Sequence, residues 1–165
     1  ARTARGTDGC SIPTYAVPLR HLAHAFARVG TGTGLSPGHA RAARRLREAV
    51  AAAPFMVAGS GRFDTRVMEA LGPRVFCEVG AEGVHCAAFP ELGLGVAVKM
   101  DDGNNARAVE VVMAAAIAAL LPLDGAAAEL LGELTHLPLR NWNGIEVGRL
   151  AWAGERVGGR PALRV

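Results

Sequence analysis

The chain has 165 residues, of which 50% are hydrophobic and 20% charged, and its formal net charge is +3 at pH 7. Disordered tails are poor in apolar residues and strongly charged, so this composition excludes one. The longest apolar run, residues 111–123, is shorter than the roughly 18–20 residues that cross a bilayer, so no membrane partner is expected. No charged and hydrophobic leader opens the sequence, and no secretion signal is expected.

The basic residues are scattered among acids. Lys99 is the only lysine, and the other 17 basic residues are arginines. Because nucleic-acid-binding surfaces need a basic stripe with aromatic platforms, no nucleic-acid partner is expected. Three cysteines, Cys10, Cys77 and Cys86, are too few and too unevenly spaced for a disulfide framework. This cysteine content indicates a reducing, cytoplasmic setting.

The first part of the chain is predicted to be helical after a short loop over residues 1–9. Apolar residues at helical spacing predict a helix over 14–29, with Thr14 as its N-cap. A second helix is predicted from its cap at Ser36 to just before Pro54.

The middle of the chain changes from a helical to a strand-like period. Asp64 is the predicted N-cap of a short helix over 65–71. Alternating residues then predict three strands joined by a turn at 80–83 and by a second, longer connection: 74–79, 84–89 and 94–100. Consecutive strands with short connections predict an antiparallel meander.

The last part is predicted to return to helix. An alanine-rich helix is expected over 106–121, capped by Asn104 or Asn105, and a shorter one over 125–134. An edge strand is expected over 145–152. Helices, a meander and then helices indicate an α+β fold, an antiparallel sheet with flanking helices, in a single segment without an internal domain boundary.

Two cysteines are predicted to face each other in the sheet. If the turn centres on Ala81 and Glu82, opposite residues have numbers that sum to 163, and Cys77 pairs with Cys86. Such a pair is expected to be buried sheet packing, and a redox or metal role is the alternative.

Searches for common catalytic patterns find no complete site. None of the three serines has a lysine three residues later, and none lies in a G-x-S-x-G motif. Ser36 is expected to cap a helix, and Ser60 to stabilise a turn or, alternatively, to bind a ligand. His21 and His24 lie one helical turn apart, but no third ligand completes a metal site, so a surface pair is expected.

Five segments, in this order along the chain, resemble one family: Asp8–Leu19, Pro54–Thr65, Gly80–Val84, Pro90–Gly95 and Asn141–Gly144. They resemble the rhizobial-type bacterial L-asparaginases, also called the asparaginase II family. The match covers nearly the whole chain but only the C-terminal half of a family member.

The resemblance implies a fold similar to that of serine β-lactamases and glutaminases, and hydrolysis of L-asparagine to L-aspartate and ammonia. It also implies a serine nucleophile activated by lysine, with zinc bound by two cysteines and a lysine in some members. The Ser-x-x-Lys motif is absent from these residues. The chain is therefore expected to be an inactive fragment that forms a homo-oligomer or pairs with a missing N-terminal half. Apolar surface on the sheet and on the 106–121 helix is expected to be exposed.

The resemblance also assigns individual site residues. Asp8 matches an acid that lines the active site, and Cys10 matches one of the zinc cysteines. Glu78 lies where the family has a lysine, in a Lys-x-Gly pattern, so the local charge is inverted. The residues assigned to substrate binding are Gly80, Ala81 and Glu82.

Two other functions remain open. The chain is alternatively a non-catalytic asparagine-binding module, or a subunit that pairs with a separately encoded half, and Glu78 favours such degeneration. An unrelated cysteine or metal enzyme built on the three cysteines is disfavoured because no general base accompanies them.

Overall fold

The computed structural model describes residues 4–154, 156–157 and 160–161. Its six α-helices are α1 (Leu19–Thr31), α2 (Pro37–Ala52), α3 (Phe55–Ala58), α4 (Phe63–Leu71), α5 (Ala108–Leu120) and α6 (Gly125–Leu134). Its strands are β1 (Arg5–Thr7), β2 (Pro13–Tyr15), β3 (Phe76–Val79), β4 (Val84–Phe89), β5 (Leu94–Lys99), β6 (His136–Arg140), β7 (Glu146–Ala151), β8 (Arg156–Val157) and β9 (Arg160–Pro161). The described residues contain no helix long and apolar enough to cross a membrane.

The central sheet has the order β3–β4–β5, and both pairs of strands are antiparallel. Helix α1 packs on one face of this sheet, and α4 and α5 pack on the other. The predicted α+β class and the predicted meander are therefore confirmed. The result is a three-layer arrangement in which both faces of β4, a strand of six apolar or histidine residues, are covered.

The main core lies between the sheet and helices α4, α5 and α6. It consists of Phe63, Val67, Met68, Leu71, Val75, Cys77, Ala87, Phe89, Met113, Ala114, Ile117, Leu121, Leu131 and Leu134. Seven residues of α5 are buried. The prediction that the 106–121 helix exposes apolar surface is therefore wrong, because this helix and the sheet cover one another. For the sheet the prediction holds only at its edge, where Leu94 of β5 is 40% exposed. Most of the large exposed apolar side chains lie in other segments, among them Ile12, Tyr15, Met56, Trp142 and Val147.

Helix α1 approaches β5 closely enough to require a glycine. A Cβ atom added to Gly95 would overlap the carbonyl oxygen of Ala23 and lie 2.6 Å from the main-chain nitrogen of Ala27. On the same face, a Cβ on Gly30 would lie 3.0 Å from the Cβ of Ala88. Small residues therefore set the spacing between this helix and the sheet.

The register of the β3–β4 hairpin differs by one residue from the prediction. Cys77 pairs with Ala87 and Glu78 pairs with Cys86, so opposite residues sum to 164. The turn centres on Glu82 alone, because Glu82 and Gly83 both have positive φ angles, 59° and 69°. Because side chains alternate along a strand, Cys77 and Cys86 lie on opposite faces, and the predicted pairing is wrong.

The segment before α1 is extended where a helix was predicted. The described part of the expected N-terminal loop contains β1, which pairs with β2, and α1 begins only after Pro18. Thr14 therefore lies in a strand and caps nothing. In contrast, Ser36 caps α2 as predicted, since its hydroxyl accepts the main-chain N–H of His39.

Two further helix caps differ from the prediction. Helix α4 begins at Phe63, so Asp64 lies inside its first turn, and α5 begins after Arg107. Asn104 accepts the N–H of Ala106, and Asn105 accepts the N–H of Gly83. The predicted edge strand pairs, as β7, with a strand that the sequence analysis missed, β6.

Candidate functional site

The sequence-predicted substrate residues lie together at the tip of the β3–β4 hairpin. Glu78 is exposed near the end of β3, and Gly80, Ala81 and Glu82 form the turn. The N–H of Gly80 donates to the carbonyl of Val84 at 2.7 Å and closes the turn.

The neighbouring loop after β5 holds the far side of this tip. The N–H of Gly83 donates to Oδ1 of Asn105 at 2.6 Å, and the carbonyl of Gly83 accepts the N–H of Met100 at 2.9 Å. The Lys99 ammonium donates to the carbonyl oxygens of Glu82 and Met100 at 2.6 and 2.7 Å. A positive φ at the non-glycine Glu82 is thus supported by contacts on several sides.

The core side of the hairpin is held by Asp64, which is 1% exposed. Its Oδ2 accepts the N–H of Val79 at 3.0 Å, and its Oδ1 accepts a hydrogen bond from Nε2 of His85 at 2.7 Å. Burial acts to raise the pKa of Asp64, but the hydrogen bond and charge of His85, with the Val79 N–H, lower it below its ordinary value of 3.8. Asp64 is therefore ionised at neutral pH although it is buried.

Cys77 completes a cluster with these two side chains. One potential ligand atom from each of Asp64, Cys77 and His85 lies within 4.8 Å of the others, and all three side chains are buried. This cluster could hold a metal ion, since carboxylate, thiolate and imidazole are all zinc ligands. Burial and the negative charge of Asp64 raise the pKa of the Cys77 thiol well above its ordinary value, so the free cluster contains a neutral thiol.

His85 has one unsatisfied ring nitrogen. Its Nδ1 is buried and has no hydrogen-bond partner among the described residues, while the ring packs edge-on against Phe63 at a centroid distance of 5.1 Å.

Two acids are electrostatically coupled to His85. The pKa values of Glu78 and Glu110 are both raised, chiefly by burial, and the charge of Asp64 adds to the effect on each.

Asp8 and Cys10 lie together in a separate hairpin loop, between β1 and β2. The Asp8 carboxylate accepts the N–H groups of Cys10 and Ile12 at 2.9 and 3.0 Å. Both Asp8 and Cys10 are exposed. Within the described part of the chain, no hydrogen bond or ion pair joins this loop to the Gly80–Gly83 turn.

The Asp64–His85 pair was missed by the sequence analysis. Asp64 was interpreted as a helix cap, and His85 received no role. A signal was available, because a histidine within the apolar strand β4 needs a buried partner. Asp64 also lies on the same helix face as the core residue Met68, four positions later.

Comparison with known protein families identifies the family to which the chain belongs. The family model of L-asparaginase II matches residues 1–152. The chain belongs to the L-asparaginase II family. The family resemblance read from the five sequence segments is thereby confirmed. No curated protein sequence matches the chain.

Zinc binding at Cys10 does not fit this L-asparaginase II family chain by itself. Among the described residues, only Asp64, Cys77 and His85 form a group of three side chains that could hold a metal ion. Cys10 is an exposed free thiol outside that group.

The burial of the cysteines predicts a large difference in reactivity. Cys10 is exposed, whereas Cys77 and Cys86 are 0% and 3% exposed, and burial raises the pKa of Cys86 to about 11. Because thiolates are the reactive form, we expect one thiol per native chain to react with an aromatic disulfide reagent, and the other two more than ~100-fold more slowly. In denaturant all three should react. Cys10→Ser should remove the fast phase, and a second fast thiol in the native chain would contradict the buried placement.

Proposed function

We propose that this chain is part of an amidohydrolase that converts L-asparagine and water to L-aspartate and ammonia. The match of residues 1–152 to the L-asparaginase II family carries the proposal. The hairpin tip is proposed to bind substrate through Gly80, Ala81 and Glu82, with Glu78 and Asp8 at catalytic positions. The fixed conformation of the tip supports this role, because substrate binding needs groups that are already in place.

The nucleophile is proposed to lie outside these 165 residues, in the same polypeptide or a separate one. Amide hydrolysis by a serine needs a base that accepts the hydroxyl proton and donors that stabilise the oxyanion. The serines present have other surroundings. Ser36 caps α2, and Ser11 and Ser60 are exposed. A partner segment with the Ser-x-x-Lys motif would complete a fold similar to that of serine β-lactamases and glutaminases.

The charge at Glu78 favours a second candidate function. A carboxylate there repels the α-carboxylate of asparagine, whereas the lysine that the resemblance places at this position would attract it. A chain with this substitution is alternatively a non-catalytic asparagine-binding module, or a subunit that pairs with a separate N-terminal half.

Partners and setting are also proposed. Exposed apolar side chains around the β1–β2 hairpin, including Ile12 and Tyr15, support contact with a second copy or with a missing N-terminal half. We propose a cytoplasmic protein that handles a small amino-acid amide. Zinc is proposed only for the complete enzyme, with Cys10 as one of several ligands.

The purified 165-residue chain should release no ammonia from L-asparagine above a buffer blank, with or without zinc. The reason is that a serine without a neighbouring base is a poor nucleophile. The measurement is coupled detection of ammonia, first with the chain alone and then with a separately expressed N-terminal segment that carries Ser-x-x-Lys.

Three results separate the possibilities. Ammonia release that appears only with the added segment supports the split-enzyme proposal. Binding of L-asparagine by the combined segments without turnover supports the binding module. Turnover by the chain alone that is abolished in Ser60→Ala or Cys10→Ala would place the nucleophile within these residues and overturn the proposal.

A further inference from the structure

A single buried carboxylate contacts both strands of the proposed substrate hairpin. Asp64 accepts the main-chain N–H of Val79 in β3 and the side chain of His85 in β4. Val79 and His85 are opposite each other, and they are the last β3–β4 pair before the turn. The carboxylate therefore bonds to both strands of the β3–β4 hairpin at the pair next to the turn.

The geometry of the ladder explains why Val79 needs this partner. The Gly80 N–H donates to the Val84 carbonyl across the turn, so the preceding pair, Val79 and His85, is of the non-hydrogen-bonded type. The Val79 N–H then points away from β4, and β3 is the edge strand of the sheet. Without Asp64, this N–H would lack a partner at a half-buried position.

The opposite side of the tip is held by groups of the Lys99–Asn105 segment, as described above. The two sets of contacts act on successive residues: Asp64 on Val79, and the loop on Glu82 and Gly83. The residues between them, Gly80 and Ala81, have their main-chain direction fixed from both ends. The position of these proposed substrate-binding residues therefore depends on Asp64.

We propose that Asp64 is a positioning residue that sets the conformation of the Gly80–Glu82 turn through Val79 and His85, and thereby its affinity for the substrate amino acid. The effect on substrate affinity rests on the proposed function, whereas the effect on the conformation of the turn does not. Asp64 lies in the core and does not itself touch the substrate.

The test compares Asp64→Asn with Asp124→Asn in the 165-residue chain by amide hydrogen exchange and proton–nitrogen NMR. Asp124 is an exposed aspartate whose side chain makes no cap hydrogen bond, so it controls for the chemical change. Asp64→Asn should accelerate exchange of the Val79 amide by about 100-fold and shift the Gly80, Ala81 and Glu82 amides. The exchange rates of the β5 amides should change only as far as the change in global free energy of unfolding requires. Asp124→Asn should leave the turn unchanged.

The second arm titrates each protein, mixed with the separately expressed N-terminal segment that carries Ser-x-x-Lys, with L-aspartate, the reaction product. In the wild type the turn amides should shift on titration, and in Asp64→Asn the affinity should fall about tenfold. A turn that depends on Asp64 but does not respond to aspartate would refute the substrate role and leave the positioning role intact. A turn whose amides are unchanged in Asp64→Asn, or exchange only with global unfolding, overturns the proposal.

A second variant covers the case in which Asp64→Asn does not fold. His85→Gln keeps the Asp64–Val79 hydrogen bond and alters only the contact with β4. It should shift the turn amides from their wild-type positions by more than Asp124→Asn does. An unchanged turn in His85→Gln would show that the β4 contact has no positioning role.

Discussion

Replacement of Asp64 with alanine should lower the free energy of unfolding by about 3–5 kcal/mol, because each buried donor left without an acceptor costs about 1–3 kcal/mol and the lost side chain adds a void. The variant leaves two buried donors, the Val79 N–H and Nε2 of His85, without an acceptor. It also opens a small void beside Phe63 and Met68, which belong to the same helix and the same core. Urea denaturation, followed by circular dichroism, measures the change.

Asp101→Ala is the matched control, because Asp101 is exposed in the loop after β5 and its side chain makes no hydrogen bond within the described residues. It should change stability by less than about 0.5 kcal/mol. A loss below about 1 kcal/mol in Asp64→Ala would mean that the hydrogen bonds of Asp64 contribute little beyond what water supplies. If Asp64→Ala is unfolded in buffer, Asp64→Asn should be measured in the same way. Its free energy of unfolding should still be well below that of the wild type.

The sign of the pH dependence follows from the lowered pKa of Asp64. A carboxyl group whose pKa is lower in the folded chain stabilises the fold fully above its ordinary value of 3.8. That contribution is lost as the pH falls through the pKa of the folded state. The stability difference between wild type and Asp64→Ala should therefore be full at neutral pH and shrink in acid below this value.

Gly95→Ala should destabilise the chain by about 3 kcal/mol, at the upper end of what overpacking costs. The added Cβ would overlap the Ala23 carbonyl and crowd the Ala27 nitrogen, and both belong to the main chain of α1. A side chain could rotate away, but a helix must move as a whole. We therefore expect the displacement of α1 from the sheet, with loss of the stacking between Phe26 and Phe76.

Gly148→Ala provides the control for this substitution. Gly148 also lies in a strand, β7, and an added Cβ would meet only a Leu139 methyl group at 3.7 Å, an ordinary contact. It should be neutral or slightly stabilising, because alanine restricts the unfolded chain. Equal midpoints for the two variants in urea would show that α1 does not pack against β5 as described.

The meander and the hairpin turn could be predicted from the sequence because they rest on local patterns. Alternating apolar residues and the Gly80–Gly83 segment are sufficient to place β3 and β4. The register was wrong by one residue, since the sequence does not show that Glu82 adopts a left-handed conformation. That single residue decides which side chains face the core and separates Cys77 from Cys86.

The Asp64–His85 pair lies beyond such patterns. Its two residues are 21 positions apart, and only the packing of α4 beneath β3 brings them together. Asp64 has a second local explanation, as a helix cap, that is chemically reasonable but wrong in this fold. The predicted start of α1 was wrong for a similar reason. Tyr15 fits a helical spacing, yet its segment pairs with β1. Hydrophobic spacing alone does not reveal strand pairing.

The position of Lys99 has a practical consequence for anyone who attaches labels to this chain. It carries the only side-chain amine in the sequence, and that amine is bonded to the carbonyls of Glu82 and Met100. Every amine-directed dye, biotin tag or solid support that couples to a side chain must therefore attach at the same point, beside the hairpin tip. Acylation removes the positive charge and leaves one N–H where there were three. The label would consequently report on, and disturb, the part of the surface that an experimenter would most want to leave intact.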